Sequence, residues 1–164
     1  MAPSRPRPGL TRILEVAPSG THGLRRTVLR DGRDDEVVFA GDDERDTFHL
    51  GAVDEDGTMV GIVTFLEREC PNRPDVHPAR QLRGMAVAAD RQGQGLGTAL
   101  LRAGIERCRA EGVAVVWAHA RLPAVPWYEA HGLPAEGDVY VFGVMGLPHR
   151  LVVTHLVDHI GIPP

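Results

Sequence analysis

The spacing of apolar and polar residues changes character near Thr47. Before it, apolar positions are sparse. Leu10, Ile13, Leu14 and Val16 suit a short strand or a turn of helix, closed by Pro18-Ser19-Gly20. Thr21 is placed to cap a helix reaching about Arg30, with Leu24, Val28 and Leu29 on one face. Residues 31–46 are dominated by acids, interrupted by Val37-Val38-Phe39-Ala40. That composition predicts a solvated loop with at most one short helical turn; a charged rim attracting substrate is the other reading.

From Thr47 the period is two. Phe48–Val53 reads as a strand, Asp54-Glu55-Asp56-Gly57 as a hairpin turn and Met59–Glu67 as a second strand. A loop with Pro71, Pro74 and Pro78 follows, and then a third strand over 79–88. Between Leu96 and Ala110 the period becomes helical, with Leu96, Leu100, Leu101, Ile105 and Cys108 on one face and Gly112 as the stop. Residues 113–120 form an almost continuous apolar run, as expected of a strand covered on both faces and paired parallel to the strand before the helix. A short helix over 123–131 stopped by Gly132, a strand over 138–144, a turn at 145–148 and a strand over 149–157 complete the pattern. The fold class this predicts is α/β (α+β): a mixed, mostly antiparallel sheet with a central parallel strand–helix–strand crossover and a C-terminal β-hairpin. One domain should span 10–157, with a disordered lead-in at 1–9 and a tail at 158–164.

The crossover contains the most informative stretch, Gln92-Gly93-Gln94-Gly95-Leu96-Gly97. Glycines at alternate positions remove side chains where a strand turns into a helix, and the first helical turn offers unpaired N–H groups and a positive dipole end. In open α/β sheets ligands bind at such carboxyl ends. The sequence therefore poses a phosphate-bearing ligand against a turn that merely connects strand to helix.

Composition narrows the choice. A net charge of −4 lacks the basic excess of a general nucleic-acid binder. No apolar run is long enough for a membrane span, and the N-terminus lacks the apolar core of a secretion signal. Cys70 and Cys108 have no metal-ligand or CxxC spacing, nor do the eight histidines, so free thiols, a reducing cytoplasm and no metal are expected. Every cationic residue counted as Lys or Arg is arginine, which removes the GxxxxGK[ST] phosphate loop. A dinucleotide fingerprint also fails: its third glycine would fall at Thr98, and the next strand ends in Ala118-His119-Ala120-Arg121 without an acid. Coenzyme A is the remaining candidate.

Gln92-Gly93-Gln94-Gly95-Leu96-Gly97, entered through Met85-Ala86-Val87, resembles the glycine-loop signature of the GNAT N-acetyltransferases. Trp127-Tyr128-Glu129-Ala130-His131-Gly132-Leu133 is similar to that family's second signature, and the order of elements from Phe48 onward agrees. Gly146-Leu147-Pro148-His149 looks like the Gly-Ile-Pro-His element of one branch. Ala89 stands where proline is frequent and Leu133 where phenylalanine is; the region before Phe48 matches poorly, which leaves the acceptor open.

The resemblance implies an acetyl-CoA-dependent transfer to a primary amine, small-molecule or peptidyl, with no nucleic acid, membrane or metal involved and a homodimer possible. It places the pyrophosphate on Gln92, Gly93, Gln94, Gly95, Leu96, Gly97 and Thr98, with Arg91 and Arg102 as further phosphate contacts or plain surface arginines. It sets the pantetheine arm against Met85, Ala86 and Val87 as an added strand, with a backbone N–H near Val87 polarising the thioester. Tyr128 matches the acid that protonates the leaving thiolate: a tyrosine pKa of about 10 keeps the proton available to a thiol of pKa about 8.5. No motif fixes the base; Glu67 and His77 are the expected candidates. His119 and His131 lie near the cofactor strands, where a structural role is the more ordinary reading. A non-catalytic acyl-CoA-binding module is the alternative function, and a nucleotide-binding domain a third.

Overall fold

The computed structural model describes residues 10–30, 32 and 37–157; the expected lead-in and tail, and part of the acidic stretch, lie outside the described residues. Seven strands form one sheet in the order β1-β2-β3-β4-β5-β7-β6. β1 (Arg12–Val16), β2 (Phe48–Val53), β3 (Met59–Glu67) and β4 (Ala79–Val87) are an antiparallel meander, and β4 pairs parallel with β5 (Val115–Arg121). β6 (Ala135–Phe142) and β7 (Leu147–His155) form the terminal hairpin, in which β7 lies between β5 and β6. The mixed, mostly antiparallel sheet with one parallel crossover is the fold class expected from the sequence. The hairpin turn sits earlier than expected, at 143–146, where the Gly146 N–H donates to the Gly143 carbonyl.

The crossover helix α2 (Leu96–Ala110) buries Leu96, Leu100, Leu101, Gly104 and Cys108 against Phe48, Val63 and Phe65 of the sheet. Burial of each leucine contributes about 2 kcal/mol. Gly104 is small for a packing reason: a Cβ there would lie 2.1 Å from the Phe65 ring. Gly104→Ala should therefore cost about 2 kcal/mol through overpacking. An earlier urea midpoint at an unchanged slope is the expected result, and an unmoved midpoint would show that the ring yields freely.

β2 and β3 are buried nearly without alternation, so both faces of the sheet are covered here. The second cover is the N-terminal helical stretch, a 3-10 turn Pro18–Thr21, helix α1 (His22–Leu24) and a π turn Arg25–Leu29. Leu24, with Val28 and Leu29 beside it, packs on Ile62 and Ala86. The expected cap is corrected here. The Thr21 hydroxyl donates backward to the Pro18 carbonyl (2.7 Å) and makes no capping bond, because the chain is already helical before it.

Residues 43–46 are exposed turn, as a solvated loop should be, but 37–42 depart from that expectation at three positions. Val37, Phe39 and Asp42 are buried, and Asp42 makes a two-oxygen ion pair with fully buried Arg25 (2.6 and 3.0 Å). Within the apolar quartet Val37 and Phe39 turn inward and Val38 and Ala40 outward.

The parallel pairing of β4 and β5 covers only Ala79, Arg80 and Gln81 against Val115, Val116 and Trp117. Past that point β4 bulges. Ile62 opposes Ala86 and Thr64 opposes Arg83, so Val63 alone faces Gly84 and Met85. An extra residue bends a strand. Gly84 provides it at φ +61°, with the Phe39 ring only 3.0 Å from where a Cβ would be.

Candidate active site

The end of the β4–β5 ladder leaves the backbone edge of β4 from Leu82 to Val87 without β5 partners. A cavity of about 370 Å3 lies here. Arg83, Gly84 and Met85 line it from β4, His119, Ala120 and Arg121 from β5, and Tyr128 from helix α3 (Val125–Ala130). Phe142 and His149 of the hairpin and Leu29, Arg30 and Phe39 of the N-terminal segment close the far side.

The glycine turn stands at the carboxyl end of β4, outside that lining. Gly95 occupies the N-cap of α2 in the left-handed region (φ +81°), and Gly93 is left-handed too (φ +77°). A Cβ on either would meet nothing within 4 Å, so the turn presents open backbone. The N–H groups of Leu96, Gly97 and Thr98 open a helix of 15 residues without a side-chain cap, a donor set suited to a phosphate oxygen. Gly97 lies beside the Trp127 ring, where an added Cβ would make ordinary van der Waals contact at 3.5 Å.

That contact belongs to a joint between the two sequence motifs. His131 donates from Nδ1 to the Trp127 carbonyl (2.7 Å), which leaves Nε2 to accept from the Thr98 hydroxyl (2.9 Å). The His131 ring also stacks on Trp127 at 4.2 Å. The histidine thus ties α3 to the start of α2 and fixes Tyr128 relative to the glycine turn.

Arg91 has three protein partners. Its guanidinium pairs with Asp54, reaches the Thr11 hydroxyl (3.3 Å) and donates from Nε to Gln94 (2.8 Å). It braces the turn against the β2–β3 hairpin. Gln92 donates to the Val87 carbonyl (3.2 Å), and Arg102 is exposed on α2.

Tyr128 is buried, edge-on to Trp127, and burial pushes its hydroxyl up to about 12. Glu67 and His77, expected as candidate bases, lie outside the cavity lining. Glu67 ends β3 opposite Arg80, at the start of β4, and is ion-paired to it at 3.3 Å; His77 is exposed in the preceding loop. Antiparallel pairing sends the end of β3 away from the bulge, so the structure does not bring these two residues to the cavity.

The histidines that do face the cavity are His119 and His149. His119 contacts the Tyr140 hydroxyl through Nδ1 (2.6 Å) and stacks on Phe142. Burial, then the neighbouring His149 and Arg83, lower its pKa to about 4, so it is neutral near pH 7. His149 donates from Nδ1 to the Leu147 carbonyl (2.7 Å), leaving Nε2 as an acceptor when the ring is neutral. His149 stood in a sequence element that invited notice, whereas His119 became informative only once β5 and the hairpin were paired. Among the described residues no three His, Cys, Asp or Glu side chains gather as a metal site, and no helix is long and apolar enough to cross a membrane.

Comparison with known proteins agrees with this geometry. Residues 11–133 match the Acetyltransferase (GNAT) family. No curated protein matches the chain. Among solved structures, an acyl-CoA N-acyltransferase from Pseudomonas aeruginosa superposes with a TM-score of 0.69 at 19% identity, covering 88% of this chain and 99% of its own. An acetyltransferase of the GNAT family from Staphylococcus aureus gives 0.69 at 14% identity, with 90% and 100% coverage. An aminoglycoside 6'-N-acetyltransferase complexed with coenzyme A gives 0.69 at 14% identity, with 89% and 97% coverage. At these identities the structures speak for the fold, while the family match spans most of the sequence. The chain belongs to the GNAT acetyltransferase family.

Proposed function

We propose that this protein is an N-acetyltransferase that moves an acetyl group from acetyl-CoA to the primary amine of a small molecule or peptide by direct attack, with Tyr128 as general acid. The observation that carries the reading is the break in the β4–β5 ladder. It leaves β4 beyond Gln81 without β5 partners, and Met85 of that stretch lines the same cavity as buried Tyr128. Bound acetyl-CoA would supply an activated thioester carbonyl. The chain's own part is to hold it: N–H groups of residues 92–98 face a pyrophosphate, and the β4 edge accepts amides as an added strand. Tyr128 keeps its proton on oxygen for a sulfur that gains charge. Cys70 and Cys108, free and buried, suit work in the cytoplasm.

The test follows free thiol while the protein is incubated with acetyl-CoA and a panel of amines. Thiol release that depends on both enzyme and amine is expected. Acetyl-CoA binding without release across the panel would favour the non-catalytic module instead. A melting shift with an adenine dinucleotide but none with CoA would remove the CoA reading altogether. The exposed apolar residues Val139, Val141, Phe142, Val144 and Met145 on the terminal hairpin support a homodimer through that hairpin.

A further inference from the structure

We propose that the acceptor amine carries a carboxylate, held by Arg83 and Arg30 in the cavity beside Tyr128. This rests on the acetyl-transfer reading above and names its substrate class.

Three arginines, Arg30, Arg83 and Arg121, line the cavity, and among the described lining residues there is no carboxylate. In a chain of net charge −4 such a bias is not inherited from composition. Arg83 leaves β4 just before the Gly84 bulge, and its guanidinium lies 4.4 Å from the Phe39 ring centroid. Arg30 lies 5.4 Å from the same ring and Arg25 3.8 Å. Arg25 is neutralised by Asp42. Arg83 instead reaches the Ala40 carbonyl at 3.3 Å, and Arg30 the Leu29 carbonyl at 3.2 Å. A guanidinium has five N–H donors in a fork shaped for a carboxylate, so stacking on Phe39 leaves that recognition available.

The neighbouring groups register the field these cations create. Arg83 has its pKa lowered by burial first and then by Arg25, Arg68 and Arg30, with Asp42 opposing. Arg83 also helps keep His119 neutral. A cationic or polyamine acceptor would enter against that field, whereas a carboxylate would enter with it. The same field lowers the pKa of an ammonium group and so favours the neutral amine that attack requires. None of residues 92–98 lines this cavity, so the arginines are not the phosphate site in another guise. Phe39, Phe142 and Leu29 add apolar wall, which suits an aryl or alkyl body beside the acid and amine.

Matched acceptors decide it. In the thiol-release assay, kcat/KM for phenylalanine should exceed that for phenethylamine by about tenfold or more, the size expected of one good charged pairing. Arg83→Gln should erase most of that ratio through KM for phenylalanine, while KM for acetyl-CoA stays within about twofold. Preference for phenethylamine or spermidine, or an Arg83→Gln variant that lowers both matched substrates equally, would overturn the proposal. A second arm needs no turnover: calorimetric titration of the CoA-saturated protein with 3-phenylpropionate. Binding that Arg83→Gln and Arg30→Gln each weaken supports the proposal, and no binding by the wild type overturns it. Absence of thiol release from every amine counts against the acetyl-transfer reading, while the titration still judges the anion site.

Discussion

Tyr128→Phe should lower kcat by about a hundredfold and leave the affinity for acetyl-CoA within about twofold, the range expected when a positioned proton donor is lost. The substitution keeps the ring that packs with Val125, Leu133 and Trp127 and deletes only the O–H. A CoA thiol resembles a cysteine thiol, with pKa about 8.5, whereas burial raises Tyr128 to about 12. The resting proton therefore stays on oxygen, and the benefit appears as a hydrogen bond that strengthens when charge reaches sulfur. The sign for pH follows. Because the folded pKa is raised, the acid form persists through the neutral and mildly alkaline range, so no loss of rate assignable to Tyr128 should appear below about pH 10. The acidic limb should instead report deprotonation of the acceptor. Rates at saturating acetyl-CoA from pH 6 to 10, wild type beside variant, check both statements; an unchanged kcat would remove Tyr128 from the chemistry.

Arg25→Met should destabilise the protein by about 3–5 kcal/mol, as expected when one partner of a buried ion pair is removed. Arg25 and Asp42 have side-chain exposures of 0% and 3%. Besides Asp42, Arg25 donates to the Val37 carbonyl (2.7 Å) and the Thr64 hydroxyl (3.0 Å). It joins the 37–42 segment to β3 beneath the cavity wall. Burial alone would raise the Asp42 pKa, but hydrogen bonds from Arg25 and the Phe39 N–H, with the Arg25 and His49 charges, outweigh it, and the pKa is lowered. A depressed carboxyl contributes stability above its unfolded pKa of about 3.9 and loses it as pH falls through the folded value. Without Arg25 burial dominates and that sign reverses, so the deficit of the variant should shrink when melts at pH 7 are repeated near pH 4. Arg25→Met/Asp42→Leu should recover part of the loss. Equal deficits at both pH values, or no recovery, would show that the pair does not set the cost.

How far the site could be read beforehand differs from residue to residue. Phe48–Val53, Met59–Glu67 and the helix Leu96–Ala110 coincide with their sequence readings because a period and its stop residues are local properties. Gly93 and Gly95 behave as a glycine turn should, while the Trp127 ring that lies beside Gly97 comes from thirty residues away and is invisible to local reading. Glu67 and His77 were attractive because they flank the central strand in sequence, yet strand direction takes them to its other end. Phe39 and Asp42 sat in a run whose average composition says solvent; an average cannot show that one acid has a buried arginine for a partner.

The sequence by itself determined the order of elements, the crossover and its glycine turn, the pairing of two motifs and the family they imply. These rest on periodicity, turn chemistry and short-range spacing. The tertiary structure alone decided where β4 parts from β5, that Arg91 braces the turn, that His131 locks α3 to α2, and that the cavity is lined by arginine. Each of those depends on residues brought together from distant parts of the chain, where burial and charge, and not order along the backbone, set what a side chain does.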